Sequence, residues 1–92
     1  MTQQYIVGQV SALLGELEPS LGEWSAAVRH LRREVESSPL RQLPELARKG
    51  LQLTDAMCWA ALEHGDVGGF YRSATAAGAL WDFTRNARLL PE

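Results

Sequence analysis

A chain of 92 residues with 46% hydrophobic side chains and a formal charge of −2 excludes several classes at once. It is too short for more than one domain, too apolar to be a disordered segment, and too weakly charged to be drawn to nucleic acid or anionic membranes by its net field. A single cysteine, Cys58, allows no internal disulfide and fits a reducing cytoplasm.

The first third carries a helical seam. Val7, Val10, Leu14, Leu17, Leu21, Trp24, Val28, Leu31 and Val35 recur at spacings of three and four, the period of an amphipathic helix. Residues 1–15 carry no charged side chain, yet they lack a basic leader and contain Gln3, Gln4 and Gln9. A secretory signal is therefore not expected. Within the seam, Ser20 and Glu23 have capping-box spacing and would start a new helix at Leu21. The seam nevertheless keeps its phase through Pro19, and the residue whose carbonyl that ring would strike is Gly15. The expectation is one helix kinked at Pro19, with a split into two as the alternative.

Pro39 disfavours helix at Ser38 and ends this element. A second helix is expected from about Leu40 or Pro44 to His64, with Leu43, Leu46, Gly50, Leu53, Met57 and Ala60 as its seam. Gly65 then reads as the left-handed residue past a helix end and Asp66 as the next N-cap. The last helix is expected from Val67 to about Leu89, stopped by Pro91. The predicted fold is an all-α small helical bundle over residues 1–92. It has three long helices, or four if Pro19 splits the first, and the last two form an antiparallel hairpin.

The last helix has two apolar stripes. Phe70, Ala74, Ala77, Trp81 and Thr84 are assigned to the hairpin core. Ala76, Leu80, Phe83, Ala87 and Leu90 form a second stripe, and a helix apolar on two sides must be covered on two sides. On the second helix the apolar arc includes Leu46, Leu53, Met57, Cys58, Ala61 and Leu62, and Trp59 falls outside it, beside Arg48, Gln52, Asp55 and Glu63. Trp59, Leu80, Phe83, Ala76 and Ala87 are therefore the candidate partner-binding residues, for a second copy of the chain or another helical protein. On that expectation, glutamate at both Leu80 and Phe83 breaks assembly and leaves helicity intact.

No chemical motif competes with this reading. His30 and Glu34 lie one helical turn apart, but a zinc site needs two further ligands. Cys58 lies among apolar neighbours, which makes a thiol inert. Gly65 to Gly69 lack a nearby cation for an anion site, and Asp66 would repel the ligand. No catalytic residue, cofactor, metal or small-molecule substrate is expected. Arg29, Arg32 and Arg33 form one basic patch on the seam helix, diluted by Glu34 and Glu36. The leading expectation is a non-enzymatic interaction module of the cytoplasm, an adaptor, regulator or small subunit, with a homodimer as its assembly. The alternative is a nucleic-acid-associated regulator that uses the three arginines, although the element lacks the tight turn and polar base-reading residues of a recognition helix.

Overall fold

The computed structural model describes residues 3–17 and 23–89. Its described elements are all helical: α1 (Gln3–Gly15), α2 (Glu23–Ser37), a single 3-10 turn at Leu40–Gln42, α3 (Leu43–Glu63) and α4 (Val67–Asn86). Pro19, Ser20, Leu21, Leu90 and Pro91 lie outside the described residues.

The continuous first helix is not observed. α1 and α2 are separate helices that pack side by side in opposite directions. Ser11 Oγ of α1 donates to Glu36 Oε1 of α2 at 2.6 Å and accepts from Arg32 Nε at 3.3 Å. Nearer the reversal, the guanidinium of Arg32 covers Gly15. The physical reason is the thin core of a short chain. A single kinked helix would leave half its seam wet, whereas folding back buries Val10, Leu14 and Leu17 with Val28, Leu31 and Val35. Each buried methylene contributes about 0.8 kcal/mol, and this burial favours the folded-back arrangement.

The ends of α3 and α4 follow the residues that signal them. Pro44 stands in the first turn of α3, where a missing N–H costs nothing. The far end closes with the amide of Asp66 donating to the carbonyl of Ala61 at 2.8 Å and that of Gly65 to Leu62 at 3.2 Å. This paired motif needs a left-handed residue at its turn, and Gly65 supplies it with φ 67°. Asp66 then caps α4 by accepting from the amide of Gly69 at 2.9 Å. The reversal is thus complete in three residues, and two helices of roughly 30 Å each lie antiparallel.

α4 ends in the same motif with a costlier residue. The amide of Leu89 donates to Thr84 at 2.8 Å and that of Arg88 to Arg85 at 3.0 Å. Here the left-handed position is Arg88, with φ 58°. An L side chain in that region costs about 1–2 kcal/mol. Arg88→Gly is expected to raise unfolding free energy by about 1 kcal/mol, partly offset by the greater freedom of glycine in the unfolded chain. A urea titration checks this, and an unchanged or lower midpoint would contradict it.

Packing is cyclic: α1 lies on α2, α2 on α3, α3 most extensively on α4, and α4 back on α1. The centre of this up-and-down bundle is Gly50. A Cβ built there would stand 3.1 Å from Leu80 Cδ2, 3.2 Å from Leu14 Cδ2 and 3.7 Å from Leu31 Cδ2. One residue from each helix meets at that point.

The seam of α3 differs by one position from the expectation in its second half. Leu43, Leu46, Ala47, Gly50, Thr54, Met57 and Ala61 are buried, while Leu53 and Ala60 are half-buried. Leu43, Ala47, Gly50, Thr54, Met57 and Ala61 alternate between spacings of four and three, the heptad period of closely paired helices, with Leu46 buried beside them. Thr54 needs no external partner, because its hydroxyl donates to the carbonyl of Leu51 at 2.8 Å. Thr84 does the same to Trp81 at 2.9 Å.

Candidate functional site

The two stripes of α4 exchange roles in part relative to the expectation. Ser73, Ala76, Leu80 and Thr84 are the buried residues of α4, and Leu80 is only 1% exposed. Ala76 and Leu80, expected on a partner face, are therefore core. Phe83 is half-buried against the core, its ring 6.3 Å from that of Tyr5 on α1, and Ala87 is half-buried. Of the stripe assigned to the hairpin core, Thr84 is buried as expected, but the rest is the more open side: Phe70 and Ala77 are half-buried, Ala74 is exposed, and Trp81 is 48% exposed. Hydrophobicity alone does not rank the stripes, since each carries large and small residues. The close contact that fixes the phase is Leu80 over Gly50 of α3, with Ser73, Ala76 and Thr84 buried on the same side of α4.

Trp59 stands where its helical angle puts it. It lies almost opposite the α3 seam and is 62% exposed. Leu62, one turn further, is also exposed. Lys49 marks the flank of α3 that faces α2, its Nζ 4.0 Å from Glu34 Oε2. At 100° per residue, Leu51, Cys58 and Leu62 lie on the flank of α3 turned away from α2. Phe70, Ala77 and Trp81 lie on the flank of α4 turned away from Tyr5 and α1. These two flanks border the outer groove between α3 and α4. The level shared by Gly50 and Leu80 then sets Leu51 beside Trp81 and Leu62 beside Phe70.

Asp55 is the acidic residue at mid-groove. Cys58, half-buried there, has its thiol pushed above the ordinary range by burial first and by the Asp55 charge second. A higher pKa means less thiolate at neutral pH. Cys58 is expected to be alkylated by iodoacetamide more slowly than a small free thiol at neutral pH. Asp55→Asn should speed that reaction by removing one cause. A rate equal to that of the free thiol would contradict the assignment.

The basic patch does not survive as one surface. Arg32 turns toward α1, with its Nε on Ser11. Arg29 and Arg33 remain exposed, one turn apart, and Arg29 donates to Ser25 Oγ at 3.1 Å. His30 and Glu34 do meet, at 2.9 Å. Among the described residues, no group of three or more His, Cys, Asp or Glu is placed to hold a metal ion.

Neither a protein-family model nor a curated protein nor a solved structure matches this chain.

The geometry of the groove therefore stands by itself. Apolar side chains left open in a small protein mark contact surfaces when they are contiguous. Tyr71 and Val67, exposed to 74% and 79%, extend the same side of the molecule toward the α3–α4 turn. Sequence reasoning singled out Trp59 and missed Leu62, Trp81 and Tyr71. Leu62 was placed inside the apolar arc and Trp81 in the core stripe. The available signal was the run of small residues at Gly50, Ser73 and Ala76, which marks where two helices approach most closely. Among the described residues, no helix is long and apolar enough to cross a membrane.

Proposed function

We propose that this chain is a non-enzymatic protein–protein interaction module, a small adaptor, regulator or subunit of the cytoplasm, and that it works through helix packing on the outer α3–α4 groove. The observation that carries this reading is the open apolar strip formed by Leu62, Trp59, Trp81 and Tyr71 on a bundle whose core is complete without it. Leu80 and its neighbours already fill the centre, so the strip is not needed for folding. Exposed tryptophan and tyrosine supply large contact area at small entropic cost and dominate the energetics of many interfaces.

The test is cross-linking in cells of the wild type and of a Leu62→Glu/Ala74→Arg variant. Both replaced residues are exposed, so the variant should keep its helicity. The wild type is expected to give a discrete higher-mass adduct, of itself or of another protein, that the variant loses. Equal cross-linking patterns for the two proteins, or none for either, would overturn the reading.

A further inference from the structure

We draw no further inference here: the strongest candidate, the open apolar strip of Trp59, Leu62, Tyr71 and Trp81 along the outer α3–α4 groove, belongs to the site already described, and nothing in the structure shows what covers it.

Discussion

Leu80→Glu is expected to abolish the folded state of this protein. Leu80 is 1% exposed and its methyl group lies against Gly50 at the meeting point of all four helices. Removing a buried leucine side chain costs about 2–5 kcal/mol. An unpaired carboxylate in the same place costs several kcal/mol more, whether it stays charged or takes up a proton. For 92 residues the whole unfolding free energy is roughly 5–14 kcal/mol, so the substitution removes most or all of it. Far-UV circular dichroism and a thermal melt read the result, which should be loss of helicity and of any cooperative transition. This reverses the expectation from the sequence, in which glutamate at Leu80 and Phe83 spares the helices and disrupts only assembly. A Leu80→Glu protein that melts like the wild type would show that the buried stripe of α4 is wrongly placed.

Gly50→Val is expected to cost about 2–3 kcal/mol by overpacking, whereas Gly50→Ala should stay within about 1 kcal/mol of the wild type. The contrast follows from distances. An alanine Cβ meets two leucine methyl groups at 3.1 and 3.2 Å. Those are the ends of flexible side chains and need to give by a few tenths of an ångström. Against that strain, alanine gains about 1 kcal/mol of helix propensity over glycine. Valine adds two methyl groups with nowhere to go, because Leu14, Leu31 and Leu80 already occupy the space on three helices. It must push at least one helix away. Denaturant titrations of the two variants measure the difference. A valine variant as stable as the alanine one would mean that the four helices do not converge at Gly50.

Much of the architecture was legible because its signals are local. Pro39, Gly65 and Asp66 act through their own backbone chemistry, and the helices end or begin at them. The hairpin of α3 and α4 follows from a reversal only three residues long. The seam of α1 and α2 was also legible, since Val10, Leu14, Val28, Leu31 and Val35 are large, apolar and regularly spaced.

The reversal between those two helices was only half legible: the capping-box spacing of Ser20 and Glu23 pointed to a new helix, and the unbroken apolar phase pointed the other way. The apolar period runs through Pro19 in phase, and phase carries no information about whether the chain continues or folds back. Tertiary burial decides that, through contacts such as Ser11 with Glu36 that connect residues far apart in sequence. The phase of α4 was hidden for a related reason. Its core positions include Thr84, which the stripe assigns to the core, and Ser73, which it does not, both polar residues that hydrophobicity counts against. Their small size and local hydrogen bonding, as for Thr84 with Trp81, make them compatible with a tight interface. Trp81, the largest apolar residue of α4, is left at the edge, 48% exposed. The candidate partner face was therefore found on the right pair of helices but largely on the wrong flank of α4. Trp59 was placed correctly, since one tryptophan among charged neighbours stands apart from any seam.

The most direct test of the account sets Ala74→Arg beside Leu80→Glu, two changes on one helix at residues assigned to opposite sides of it. Each is measured by thermal melt and by cross-linking in cells. The account predicts that Ala74→Arg melts cooperatively within a few degrees of the wild type and loses the higher-mass adduct that the wild type gives. It predicts that Leu80→Glu does not melt cooperatively at all. An Ala74→Arg protein that unfolds, together with a Leu80→Glu protein that folds and fails to associate, would contradict the account by returning the partner face to the Leu80 stripe.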